Sequence, residues 1–311
     1  MDKSIETFAI DRGVQLESTV KAWAEKFGFD IDQVRSAMKK PRTPMLWLNA
    51  LDCTGCIESF LRAAGPGAAD LFMNWVSLEY SELLSAASGE HAEHNKASVL
   101  EKYKGEYVLV VEGAIPTRDE FLMVAGRSVR EEIMEAAKGA KAVFAYGSCS
   151  AWGGIPAAKP NPTESVSLTE LIPDIPVVLV PGCPPIADVM VGTLLHLLIH
   201  DTVPELDKKG RPKMFYECTV HQVCHRRHFF DEGLFAETYD DEGAKKGYCL
   251  FKLGCKGPST FNACESMGWN DVQCSPIGAG SSCIGCSEKN FWDKGPLCSR
   301  KVKAKAEPAK V

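Results

Sequence analysis

The feature that most constrains this chain is the position of its cysteines, because three of its short apolar runs lead almost directly into one. The run at 45–48 is followed by Asp52-Cys53-Thr54-Gly55-Cys56. The run at 142–145 is followed by Gly147-Ser148-Cys149, and that at 175–180 by Pro181-Gly182-Cys183-Pro184-Pro185. With the run at 107–111, these segments have the length and apolar content of buried strands. Helix-like stretches near 127–137 and 186–200 separate or follow them. Buried strands alternating with helices indicate a parallel sheet, so the fold class is α/β, with a doubly wound domain over 44–200. In open α/β sheets, ligands bind in the crevice beyond the carboxyl ends of the strands. Neighbouring strands would therefore deliver Cys53, Cys56, Cys149 and Cys183 to one place. Four thiolates fit a 4Fe–4S cluster, and the adjacent glycines let the backbone approach inorganic sulfide. A single cysteine would read as a buried, inert thiol. A structural zinc site would also use four thiolates, but it leaves the downstream cysteines unexplained.

Beyond Asp201 the pattern breaks into loops rich in Gly, Pro and Cys, which predicts a second domain, 201–300, built around something other than a large apolar core. His221, Cys224, Cys249 and Cys255 supply one imidazole and three thiolates, a set that suits iron or zinc. Cys264, Cys283 and Cys286 supply three thiolates, which suits a 3Fe–4S cluster, with Cys274 open as a fourth donor. Cys218, Cys274 and Cys298 stand outside this scheme and read as non-ligand thiols. His225 and His228, beside Arg226 and Arg227, read as exposed polar residues.

Composition narrows the function further. Thirteen cysteines is an odd number, and a 311-residue chain has core enough to need no disulfide scaffold. A net charge of -6 without a dense basic stripe argues against nucleic acid as a partner. No run reaches the roughly 20 apolar residues of a bilayer span. The nearest, 186–199, contains Asp188 and His196 and reads as a buried helix. Residues 1–43 read as a charged helical extension whose stripe of Val20, Trp23, Ala24 and Phe27 is expected to pack against a partner. Pro41 and Pro44 would bracket a linker, and 301–311 forms a Lys-rich tail. Glu17, Lys21, Glu25 and Lys26 interrupt any export-signal apolar core, so a cytoplasmic location is expected of the sequence as written. A periplasmic or membrane-associated location is the alternative.

The combination of motifs resembles the small subunit of nickel–iron hydrogenases of the respiratory uptake type. The residues that carry the resemblance are Cys53-Thr-Gly-Cys56-Ile-Glu-Ser, Ser77-Leu-Glu-Tyr80, Gly147-Ser-Cys149-Ser-Ala-Trp-Gly-Gly154 and Pro181-Gly-Cys183-Pro-Pro185. His221-x-x-Cys224, Leu253-Gly-Cys255-Lys-Gly-Pro258 and Cys283-Ile-Gly-Cys286-Ser-Glu288 extend it, so that it covers about 44–294. It implies a flavodoxin-like domain followed by a loop-rich cluster domain. It also implies a large-subunit partner whose nickel–iron centre splits hydrogen into protons and electrons, with no catalytic residue on this chain. By the same resemblance, Cys53, Cys56, Cys149 and Cys183 hold a proximal 4Fe–4S cluster. Cys264, Cys283 and Cys286 hold a medial 3Fe–4S cluster, where Pro276 stands at the place of a fourth ligand. His221, Cys224, Cys249 and Cys255 hold a distal 4Fe–4S cluster, near which an external carrier such as a cytochrome, ferredoxin or quinone-linked membrane subunit docks. Asp52 departs from the glutamate many relatives carry before the first ligand, whereas Glu82 matches the family pattern. Two other readings compete: an iron–sulfur subunit of a complex I-type dehydrogenase, and a zinc-binding structural protein.

Overall fold

The computed structural model describes residues 20–269, 272 and 274–294. Residues 1–19 of the expected extension, Cys298 and the 301–311 tail lie outside the described residues. The centre of the molecule is one parallel sheet of five strands: β1 (Thr43–Asn49), β2 (Val76–Ser81), β3 (Val108–Glu112), β4 (Ala142–Tyr146) and β5 (Val177–Val180). Their spatial order is β2-β1-β3-β4-β5, the flavodoxin-like order of a doubly wound sheet. Flanking helices include α1 (Gly55–Leu61), α2 (Glu90–Lys102), α3 (Val129–Gly139), α4 (Gly147–Trp152) and α5 (Ala187–His200).

Successive side chains of a strand face opposite sides of the sheet, so each strand serves two cores. Met45, Trp47, Val108, Val110, Phe144 and Tyr146 pack on one face, with Val189, Met190 and Leu194 of α5 and with Ile57 and Phe60 of α1. Leu46, Leu48, Leu109, Val111, Val143 and Leu179 pack on the other, with Val129, Ile133 and Ala136 of α3. At about 1.5–3 kcal/mol for each fully buried large apolar side chain, these two layers dominate the stability. Beyond residue 201 the only comparable cluster among the described residues joins Val220, Ala236, Leu250 and Ile277, too little apolar surface to organise the region by itself.

The structure departs from the sequence-based expectations in three places. β2 has no long apolar run, because Ser77, Leu78 and Glu79 along its middle are only partly covered. Pro44 does not bound a linker; it lies within β1 opposite Ser77, near the strand's start, where a missing N–H is tolerated. The stripe of Val20, Trp23, Ala24 and Phe27 packs within this chain rather than against a partner, as part of the α5 core. Phe27 meets Phe215 at 6.5 Å and Trp23 meets Trp75 at 6.5 Å between ring centroids. Lys26 pairs with the buried Asp188 of α5 at 2.8 Å, which accounts for the one acid in that otherwise apolar helix turn. Among the described residues, no helix is long and apolar enough to cross a membrane.

Candidate metal centres

The carboxyl ends of β1, β4 and β5 carry the first cysteine set, and local structure there is shaped around the thiols. After β1 the chain turns through Thr54, which holds a left-handed conformation with φ 62, and enters α1. Asp52 stabilises that turn: one carboxylate oxygen accepts from Thr54 N at 2.8 Å, the other from Asn49 Nδ2 at 2.8 Å. The aspartate at this position is therefore a turn-former. α1 has no side-chain cap from Thr54, and its first-turn amides are satisfied from elsewhere. Glu112, the last residue of β3, accepts from Cys56 N at 2.9 Å, Ile57 N at 3.1 Å and Trp47 Nε1 at 3.2 Å. It is only 1% exposed. Burial, with the charge of Asp52 behind it, pushes its carboxyl up to about 7 despite these bonds. Sequence reasoning missed Glu112; the signal was a lone acid closing an otherwise apolar central strand.

Cys149 opens out from α4, and Cys183 follows β5. Ser59 of α1 donates to Pro185 O at 2.7 Å, while Ser148 N donates to Gly182 O at 2.8 Å, so the three loops are tied to one another. The four thiols then face a common space. Burial raises Cys56 well above its ordinary value, and the charges of Glu112, Cys149, Cys183 and Cys53 add to it. Burial likewise pushes Cys149 up to about 12, with Cys183 and Cys53 contributing. Four mutually repelling thiolates require a positive centre to ionise together, which is what a metal cluster supplies. A Cβ added at Gly147 would overlap Cys56 Sγ, and one at Gly154 would sit 2.5 Å from Cys149 Sγ. Glycine at both positions keeps that space open. Cys53 and Cys183 are exposed, so this set opens at the surface of the chain.

The second set is tied directly to the first. Ser148 Oγ donates to the carbonyl of Cys286, and Trp152 Nε1 donates to Ser287 O at 3.1 Å. Cys264, Cys283 and Cys286 line a cavity of about 240 Å³ together with Pro276, Ile277 and Trp269. Burial pushes Cys286 up to about 12, reinforced by Cys283 and Cys183. Cys274 lies on a neighbouring cavity of about 260 Å³ with Cys264, His225 and Glu265.

The third set follows without a break, since Lys256 N, next to Cys255, donates to Cys283 O at 2.8 Å. Burial pushes Cys255 up to about 12, with Cys283 and Cys249 adding to it, and raises Cys224, to which Cys249 also contributes. Gly257 lies against both Cys255 Sγ and the His221 backbone, each 3.5 Å from its ideal Cβ position. The His221 ring stands edge-on to Phe230, 4.6 Å between centroids. His225, read from sequence as an ordinary exposed residue, has more structure around it. One of its ring nitrogens, Cys224 Sγ and a Glu265 oxygen all lie within 4.8 Å of one another.

Glu82, just beyond β2, accepts from Asn49 N at 3.3 Å, close to the turn that carries Cys53. Burial pushes its carboxyl up to about 7, partly opposed by the charge of Lys96.

Residues 53–197 match the family model described as NADH ubiquinone oxidoreductase, 20 Kd subunit. Residues 216–298 match the model for the C-terminal part of the NiFe/NiFeSe hydrogenase small subunit. The chain is 51% identical to the uptake hydrogenase small subunit of Azotobacter vinelandii over 263 residues, covering 84% of this chain and 74% of that one. It is 45% identical to the hydrogenase-1 small chain of Escherichia coli K12 over 265 residues, covering 85% and 71%. Among solved structures, the reduced, active Ni-Fe-Se hydrogenase of Desulfomicrobium baculatum superposes with a TM-score of 0.78 at 36% identity, covering 82% of this chain and 97% of that one. The first match alone would admit the dehydrogenase reading. The second, over the region of the last seven candidate ligands, together with the relatives, decides against it. The chain belongs to the nickel–iron hydrogenase small subunits, which carry iron–sulfur clusters and pair with a hydrogenase large subunit.

Proposed function

We propose that this chain relays electrons between the nickel–iron site of the large subunit and an external carrier through three iron–sulfur clusters. The single observation behind this reading is the continuity of the three ligand sets: Ser148 to Cys286 joins the first to the second, and Lys256 to Cys283 joins the second to the third. Cys53, Cys56, Cys149 and Cys183 would hold the proximal 4Fe–4S cluster, which faces the large subunit where this set opens at the surface. Cys264, Cys283 and Cys286 would hold the medial 3Fe–4S cluster, with Pro276 at the donor-less corner. His221, Cys224, Cys249 and Cys255 would hold the distal 4Fe–4S cluster, beside the exposed Val223 at 43%, where a carrier such as a cytochrome, ferredoxin or quinone-linked membrane subunit docks. The same reading divides the chain near residue 200 into a sheet domain and a cluster domain.

When bound, such clusters supply one-electron chemistry, at potentials set by cluster type, hydrogen bonding and exposure. The protein's part is to hold the donors, exclude water and fix the spacing. Glu112 locks the first turn of α1 and with it Cys56; Ser148 and Trp152 fix the Cys286 segment against the first site.

The test is to purify the chain with its large subunit and measure iron, acid-labile sulfide, nickel and zinc. Oxidised protein is expected to show the electron paramagnetic resonance signal of a 3Fe–4S centre, with nickel confined to the partner. Zinc in place of iron, with no labile sulfide, would sink the relay. Fractionation of cells tests the cytoplasmic location that we also propose, against the periplasmic or membrane-associated alternative.

A further inference from the structure

The residue after Cys264 is a glutamate that the relay described so far does not use. α6 (Cys264–Met267) is a single four-residue turn, and it carries Glu265 inward, with only 1% of the side chain exposed. One carboxylate oxygen lies 2.7 Å from His225 Nδ1. The other is buried with no hydrogen-bond partner among the described residues. A buried carboxylate with an unsatisfied oxygen costs stability, so its presence calls for a role other than holding the fold.

Its position supplies the role. Glu265 adjoins Cys264 of the medial set, while its partner His225 adjoins Cys224 of the distal set. The chain of neighbours Cys264, Glu265, His225, Cys224 thus crosses between the two sets through one hydrogen bond. Glu265 lines the cavity of Cys264, Cys283 and Cys286 and also the neighbouring one beside His225, so its carboxylate borders both sides. The three donors Cys224, His225 and Glu265 could hold a separate cation only if Cys224 left the distal set. The arrangement therefore makes a link rather than a further metal site.

Resting on the assignment of Cys264 to the medial set and Cys224 to the distal set, we propose that Glu265, held by His225, is a positioning residue that sets the driving force for the electron step between those clusters. In that step one electron leaves the medial cluster, which is oxidised, and enters the distal cluster, which is reduced; Glu265 and His225 are unchanged. A buried negative charge beside both sites favours the more oxidised state of each, and it lowers the nearer site more. The backbone link from Lys256 N to Cys283 O survives any side-chain change, so removing the charge shifts potentials without cutting the path.

The experiment is a potentiometric titration of the heterodimeric holoenzyme followed by electron paramagnetic resonance. Glu265→Gln, nearly equal in volume, is expected to raise the medial midpoint by about the equivalent of tenfold in its reduction equilibrium, about 59 mV for one electron. The distal midpoint should rise less, and the proximal one should stay in place. Glu265→Asp keeps the charge and should hold the medial midpoint near that of the unaltered enzyme. Unchanged medial and distal midpoints in Glu265→Gln, with all cluster signals intact, would overturn the proposal. An equal shift in Glu265→Asp would also overturn it, because packing rather than charge would then be at work. Loss of the relay reading looks different: the unaltered enzyme would itself lack the three-iron signal.

Discussion

At the scale of single residues, the proposed medial site turns on a side chain that offers no donor. Pro276 shares a cavity with Cys264, Cys283 and Cys286, while Cys274 lines the neighbouring one beside His225 and Glu265. Pro276→Cys is expected to supply the missing thiolate and convert the cluster to a 4Fe–4S form of lower potential. Loss of the three-iron resonance in oxidised protein, with iron content increased, is the measurement that checks it; a retained signal would refute it. Glu82 offers a second test. Burial moves its carboxyl from 4.5 to about 7, so the folded chain holds a proton that the unfolded chain releases. The folded-state value is raised, and this group's contribution is therefore most favourable at low pH and is lost as pH climbs from about 4.5 through about 7. At 1.36 kcal/mol per pH unit the whole effect is on the order of 3 kcal/mol. Glu82→Gln should flatten the pH dependence of the unfolding midpoint between about pH 4.5 and about pH 7. An unaltered profile would show that Glu82 does not carry this shift.

At the scale of elements, α5 is the helix on which one face of the sheet and the amino-terminal segment meet. Its Gly192 has no room to spare: an added Cβ would lie 2.7 Å from both the Phe27 and the Phe215 ring. Alanine there would gain up to about 1 kcal/mol of helix propensity but force two rings apart, and overpacking typically costs about 1–3 kcal/mol. Gly192→Ala is expected to lower the unfolding midpoint and to make the segment around residues 20–27 more susceptible to protease. Unchanged stability and cleavage would refute the close packing of that segment on α5. The edge strand β2 follows the opposite logic, since it is half-covered and therefore carries Ser77 and Glu79 among its apolar residues.

At the scale of the whole molecule, the three proposed ligand sets run in series from an open set at the sheet's carboxyl edge into a region with almost no apolar core of its own. In the proposed relay, that series has an input only when the large subunit covers the first set. The chain alone is expected to reduce no dye with hydrogen, and activity should appear only when the nickel-containing partner is added. Hydrogen-dependent dye reduction by the isolated chain would contradict this. The region beyond residue 201 should also depend on iron for order, because its own small cluster around Val220, Ala236, Leu250 and Ile277 cannot offset the ordering of so many loop residues.

Apolar runs of strand length, ending in Gly and Cys, were enough to read the α/β class and four of the five sheet strands, because burial leaves a local mark in residue type and spacing. β2 lay beyond that reading, since its middle residues Ser77, Leu78 and Glu79 are only partly covered and leave no continuous apolar run, whereas the opposite edge strand β5 is buried throughout. So did the partner of the amino-terminal stripe: an amphipathic face states that it must be covered, and only the folded chain supplied Phe215, Trp75 and α5 as the cover. Glu112 and Glu265 were hidden for the same reason. A lone acid has no period and no motif, and its meaning depends on which amide, imidazole or thiol the fold brings beside it from 56 or 40 residues away.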